Sequence, residues 1–217
     1  DRSLAGVSVP DAALTLAAED APPLTASGAL LVTHRGLSGP AALRLSAVAA
    51  RDLARCQYRG SLLLDLAPGR KKKAVFDDLR RFKDRPHVCR KNVRNVNPLG
   101  LPRSLWSALV ESAADASKDW AQLSKVEMHR LVQQICSCAL PFSGKDSNKE
   151  EFVTAGGVCW EGIDTKTLSS KTCKGLYFAG ELMDQDGITG GHNFQACWST
   201  GFVAGSSAAS FALDCDK

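Results

Sequence analysis

Residues 175 to 205 read GLYFAGELMDQDGITGGHNFQACWSTGFVAG, and the fold turns on this stretch. Leu176-Tyr177-Phe178-Ala179 is a short, wholly apolar run of the type found inside a parallel sheet. It ends at Gly180-Glu181. Gly187, Gly190 and Gly191 crowd the loop that follows, and a helix is predicted from Asn193 to about Ala212. A buried strand, a glycine-acid step at its carboxyl end, a glycine loop and a helix opening at a polar residue form the geometry in which open α/β sheets bind phosphorylated ligands.

The residue types suit that task. Gly180 would let a pyrophosphate or ribityl chain approach the backbone, where a side chain would collide with it. Glu181 or Asp184 could accept hydrogen bonds from sugar-chain hydroxyls. The first-turn N–H groups after Gly191-His192-Asn193 offer unpaired donors and a positive dipole end to an electron-rich edge. A flavin C2 carbonyl is such an edge. Along the helix, Ala196, Thr200, Ala204, Ala208 and Ala212 recur every four residues, and Gly201 and Gly205 form a small pair on a neighbouring stripe.

Residues 11 to 33 read as a hairpin whose strands centre on Leu14–Leu16 and Ala29–Thr33, with Pro22-Pro23 and Ser27-Gly28 between them. After His34-Arg35-Gly36-Leu37, Ser38 or Gly39 can cap a helix with Pro40 at its first position. That helix, Ala41 to Arg55, is predicted to place Leu43, Ala47, Ala50 and Ala54 on one stripe. Ser61 to Leu66 is a short strand closed by Pro68-Gly69. Three helices are predicted over about 72–83, 102–116 and 124–138, with Ala74, Val75 and Leu79, then Leu105, Trp106 and Leu109, then Val126, Leu131, Ile135 and Cys138 inward. The polar run 143–148 is a loop. Strand-like patterning resumes over Glu151–Val158 and Cys159-Trp160.

Three segments together resemble the BaiN/YhiN-type, or aminoacetone-oxidase-like, flavoproteins. The first is the 175–205 stretch itself. The second is Val32-Thr33-His34-Arg35-Gly36-Leu37-Ser38-Gly39-Pro40, similar to that family's THRGLSGP turn. The third is Val153-Thr154-Ala155-Gly156-Gly157-Val158 with Thr165-Lys166-Thr167 and Ser169-Ser170-Lys171. The resemblance covers nearly the whole chain in order. It implies an α+β chain: a small β-barrel (residues 1–69 and 141–174) with a helical insert (70–140), followed by the C-terminal strand-helix piece (175–217) of an α/β Rossmann-like FAD-binding domain.

It also implies FAD as cofactor, with NAD(P)H as a candidate electron donor, and an oxidoreductase of unspecified substrate. Gly180, Glu181, Asp184, Gly190, Gly191 and Asn193 match positions at the flavin, and Gly187, Ile188 and Thr189 line the same loop. His192 stands where the family has tyrosine; beside a flavin its imidazole is a candidate proton donor. Cys197 could face the ring as a redox thiol, although a packed core position suits it better. His34 and Arg35 fit a turn-holding role. The GxGxxG that carries most pyrophosphate contact in such domains does not occur in these residues. The expected partner is therefore the N-terminal half of the flavin domain, in cis or as a separate chain, without which this chain is expected to be inactive.

Composition narrows the alternatives. The chain of 217 residues is 44% hydrophobic and 23% charged, which excludes disorder, collagen and coiled coil. Eight cysteines, under 4% of the residues and without a CxxC pair, argue for thiols in an intracellular reducing compartment, cytoplasmic or organellar, and against a metal site. No run of 18 apolar residues occurs to span a membrane. The net charge of +4 is mild but uneven: residues 70–94 hold 11 Lys+Arg against 3 Asp+Glu, leaving 16 against 20 elsewhere. This segment admits a second reading, a cofactor-free structural or assembly subunit of a larger complex contacting RNA or an acidic partner, with about half a dozen phosphates in reach.

Overall fold

The computed structural model describes residues 2–17, 22–145, 153–188 and 190–215. They fall into two compact units, Asp1–Asp146 and Ser147–Lys217.

The first unit is built on the expected hairpin. β1 (Ser8–Leu16) pairs antiparallel with β2 (Leu24–Val32), Leu14 opposite Ala26. Short β3 (Leu37–Ser38), β4 (Arg59–Asp65) and β5 (Cys138–Ser143) complete an antiparallel half-barrel in the order β3-β2-β1-β4-β5. Period-two alternation turns Leu14, Leu16, Leu30 and Leu64 inward, and leaves Thr15 and Thr25 to share a hydroxyl hydrogen bond of 2.9 Å outside.

α1 (Pro40–Val48) begins as its turn chemistry dictates, with Pro40 in the first turn. Gly39 has φ 90°, and a Cβ there would stand 2.9 Å from the Ala29 carbonyl oxygen, so the turn can close on β2 only with glycine. The helix predicted over 41–55 is not continuous. It breaks at Ala49 (φ −96°, ψ 8°), and α2 (Ala50–Arg55) follows. The buried stripe is Ala41, Leu45 and Ala49 rather than Leu43, Ala47, Ala50 and Ala54. In so alanine-rich a segment side-chain bulk barely distinguishes the faces; the anchor is tertiary, the Arg44 guanidinium donating to the Ser27 carbonyl at 3.0 Å.

α3 (Lys72–Lys83), α4 (Arg103–Ala113) and α5 (Lys125–Cys136) form the helical insert, close to the expected bounds. Val75, Leu79, Leu105, Trp106, Leu109, Leu131 and Ile135 are buried as their spacing requires. Ala74 and Val126 are exposed instead, each in a first turn and off the stripe set by Val75–Leu79 and Met128–Leu131–Ile135. Trp106 stacks on Trp120 with centroids 6.2 Å apart, and Phe82 meets Trp120 edge-on at 5.2 Å.

A capping box starts α5: Ser124 Oγ accepts from the Glu127 N–H at 3.2 Å, and the Glu127 carboxylate accepts from the Ser124 N–H at 2.9 Å. Lys118 Nζ donates to the same carboxylate at 2.7 Å. The Lys118 hydrogen bond, then those from Ser124, hold the Glu127 carboxyl down at about 2. Because the folded value lies below the unfolded one, about 4.3, this contribution is full above pH 4.3 and disappears as the pH falls towards 2. Glu127→Gln keeps the shape but not the charge. We expect the wild-type melting temperature, followed by circular dichroism, to fall more steeply than the variant's over that interval; parallel curves would contradict the assignment.

The second unit has α6 (His192–Cys215) and little other regular structure among its described residues. Its chain is held by isolated bridges, Ile163 with Ser170, Ser169 with Tyr177, and Val158 with Met183. Ile163, Leu168, Met183 and Ala204 form a small buried core. The run 176–179 is not a parallel strand: Ser170 N–H donates to the Leu176 carbonyl at 2.8 Å and Phe178 N–H to the Leu168 carbonyl at 2.9 Å, so it folds back antiparallel on 168–170. A four-residue apolar run carries no record of which strand it will meet. Residues 153–174, expected in the barrel, lie in this unit, where 153–158 contribute one bridge and Trp160–Gly162 a 3-10 turn; Glu151 lies outside the described residues. Among the described residues no helix is long and apolar enough to cross a membrane.

Candidate functional site

The glycine-acid step Gly180-Glu181 forms a 3-10 turn, Gly180–Leu182, gripped from two directions. On one side is the 153–160 segment. Val158 N–H donates to the Leu182 carbonyl at 2.8 Å, and Asp184 N–H returns to the Val158 carbonyl at 3.1 Å. Thr154 N–H donates to Glu181 Oε1 at 2.9 Å, and Trp160 Nε1 donates to the Asp184 carbonyl at 2.9 Å. A Cβ on Gly157 would stand 2.5 Å from the Leu182 oxygen and 2.6 Å from the Met183 carbonyl carbon, so only glycine admits this approach.

On the other side is α6. Thr200 Oγ1 accepts from the Gly180 N–H at 2.9 Å while donating to the Ala196 carbonyl at 2.7 Å. Cys197 is half-buried against the turn, its sulfur 3.5 Å from where a Cβ on Gly180 would lie. It is not among the buried residues of this unit's core.

The glycine loop closes on the start of α6. Gly187 N–H donates to Asn193 Oδ1 at 2.7 Å, and Asn193 Nδ2 returns to the Gly187 carbonyl at 3.4 Å. The carboxamide of Asn193 thus fixes the loop rather than facing outward. Gly190 (φ 112°) and Gly191 (φ 94°) have open space where a Cβ would point. Ile188 and His192 are exposed beside them, and Thr189 lies outside the described residues. The first-turn N–H groups of a 24-residue helix point into this opening with the positive end of its dipole. Such an arrangement can receive an electron-rich or phosphorylated group, with the second oxygen of Glu181 able to accept from a hydroxyl.

α6 has two unlike faces. Ala196, Thr200, Ala204 and Ala208 lie on the packed side, but Ala212 is exposed. Opposite them Phe194, Trp198 and Phe202 follow at four-residue spacing, 69%, 66% and 77% exposed, with Gly201 and Gly205 beside them. An apolar ridge next to two glycines is a surface made for packing.

Residues 1–153 match the family described as HI0933-like protein barrel and H2TH domain. The chain belongs to the HI0933-like family. A ribosomal RNA dihydrouridine synthase of Haemophilus influenzae is 32% identical over 174 residues, covering 80% of this chain and 40% of that protein. Its Escherichia coli namesake is 30% identical over 200 residues, 92% of this chain and 46% of that protein. A 3-dehydro-bile acid delta(4,6)-reductase of Clostridium scindens is 29% identical over 189 residues, 84% of this chain and 44% of that protein. The chain spans less than half the length of these relatives.

In this HI0933-like chain the basic run 70–94 is not one free face. Arg70 and Arg81 both pair with Asp78, Lys72 bonds Gln133, Lys83 bonds the Leu123 carbonyl, and Arg94 pairs with Glu111 at 2.8 Å. Lys71, Lys73, Arg80, Arg90 and Lys91 are exposed without side-chain partners. Arg103, just beyond Pro102 and outside the basic run, shares a cleft with Arg94. The roles of Gly157 and Thr200 are equally hidden from local sequence, since both depend on residues 20 or more positions away.

Proposed function

We propose that this chain forms the C-terminal part of a flavin-dependent oxidoreductase that reduces uridine in ribosomal RNA. The observation that carries the flavin reading is the open glycine loop at the head of α6, held by Asn193 and Gly187, with Gly180 tied to Thr200 behind it. The residues fit such a group: Gly190 and Gly191 leave room that packing does not claim, and the helix dipole favours an electron-rich ring edge. FAD is the flavin and NAD(P)H the reductant.

When bound, the flavin would supply the hydride. The residues of this chain position and exclude. Gly190 and Gly191 would leave the backbone open to the ring and ribityl chain, Gly180 and Gly187 would hold the loop against α6, and Glu181 and Asp184 would accept from the ribityl hydroxyls. Ile188, exposed beside the loop, would shield the ring edge from water. His192, exposed at the first residue of α6, can hold the proton that uridine needs at C5 when hydride reaches C6. The exposed Phe194–Trp198–Phe202 ridge supports a covering partner, the N-terminal half of the flavin domain, in cis or as a second chain. The named activities of the relatives are both reductions of carbon–carbon double bonds, and the arginine-lined cleft favours a polyanion over a bile acid.

The test is to purify the completed protein under native conditions, record its visible absorbance, and incubate it with unmodified ribosomal RNA and NADPH. Yellow protein and uridine gaining two hydrogens by mass spectrometry are expected. A colourless preparation that still shifts RNA would overturn this reading in favour of a cofactor-free assembly subunit. Tight stoichiometric FAD binding by the isolated chain would overturn the need for a second half.

A further inference from the structure

We infer that the polar cleft between the 89–95 segment and the start of α4 is the surface that grips the RNA backbone; this rests on the ribosomal-RNA reading above. The cleft, about 750 Å³, is lined by Asn92, Arg94, Asn95, Arg103, Ser104 and Ser107, with no carboxylate among them. Arg90 and Lys91 precede it on the same segment.

Hydrogen bonds tie the segment to its neighbours. Ala121 N–H donates to the Cys89 carbonyl at 2.8 Å, Trp120 N–H to Lys91 at 3.0 Å, and Val93 N–H to Lys118 at 3.0 Å. Trp106 Nε1, buried, donates to the Val93 carbonyl at 2.8 Å. Cations on a tethered backbone lose little freedom when they meet phosphates, which favours binding.

The charges are available. Arg90, Lys91 and Arg103 have no side-chain partners. Arg94 leans on Glu111 and Ser107 and is still half exposed, 51%. The neighbouring carboxylates are occupied locally: Asp115 accepts from the N–H and hydroxyl of Ser117, and Asp119 caps its own turn through Gln122. The first N–H groups of α4, which follows Pro102 with no side-chain cap, open beside Ser104 and add donors. Arginine forks with asparagine and serine suit phosphate oxygens and ribose hydroxyls, sequence-independent contacts that position a strand.

Fluorescence anisotropy of a fluorescein-labelled RNA stem–loop with uridines in its loop, titrated with the full chain at several KCl concentrations, tests this. The combined variant Arg90→Ala, Lys91→Ala, Arg103→Ala should bind roughly 10- to 100-fold more weakly and lower the log–log salt slope by about three. Lys71→Ala, Lys73→Ala, Arg80→Ala removes equal charge from around α3 and should stay within about twofold of wild type. Unchanged melting curves guard against misfolding. Absent RNA binding, equal weakening by both variants, or polyglutamate competing as well as unlabelled RNA would overturn the proposal. If the cleft variant loses RNA but the completed wild-type enzyme leaves uridine unreduced, the surface stands and the substrate reading falls. If that enzyme reduces ribosomal uridine with a KM the cleft variant does not alter, the reverse holds.

Discussion

Gly157→Ala should break the second unit's grip on its own site. The added methyl would overlap the Leu182 oxygen, the Met183 carbonyl carbon and the Asp184 nitrogen, at 2.5, 2.6 and 2.7 Å, all of them backbone and none free to swing aside. Relief requires parting the Val158–Met183 bridge and both its hydrogen bonds. Overpacking of this kind costs about 1–3 kcal/mol, and two lost backbone hydrogen bonds add about 1 kcal/mol each. Met183, wholly buried, would be pulled from a core that otherwise holds Ile163, Leu168 and Ala204. So small a core has little reserve. Urea denaturation followed by tryptophan fluorescence should show the loss in the part of the transition reported by Trp160 and Trp198, and under the proposed flavin reading the completed protein should bind less flavin. Gly162→Ala provides the comparison: a Cβ there meets nothing within 4 Å, so its effect should stay within about 0.5 kcal/mol. Equal behaviour of the two variants would refute the steric argument.

What could be read from residues alone follows a physical line. α3 falls on 72–83 as predicted, because a sharply amphipathic pattern lies between Pro68-Gly69 and Pro86. The α1 face is not encoded locally, because alanines weigh equally on every side, and Arg44 reaches Ser27 through a contact 17 residues away. The 176–179 run shows the same limit for sheets: it announces an extended segment but not its partner. At the site, the glycines and Gly180–Glu181 were legible as local chemistry. That Asn193 turns inward to hold Gly187, or that Asp78 absorbs two of the arginines of the basic run, depends on side-chain geometry that spacing does not encode.

Trp106→Ala should cost the first unit about 3–5 kcal/mol, the usual range for deleting a buried tryptophan. Two losses combine. The indole is fully buried and stacked on Trp120, so its removal leaves a void in the centre of the helical insert. Its Nε1 also holds the Val93 carbonyl, which would then be buried without a donor, a further penalty of about 1–3 kcal/mol if no water enters. Trp106→Phe separates the two terms, since it keeps most of the ring and forfeits only the donor; a loss of about 1–2 kcal/mol is expected there. Urea denaturation with an unchanged m-value is the measurement. Because Val93 lies between Asn92 and Arg94, the Phe variant carries a second readout: loosening the carbonyl should weaken RNA binding even where the fold survives. Full RNA affinity in Trp106→Phe, alongside the expected stability loss, would show that the cleft does not depend on this tether.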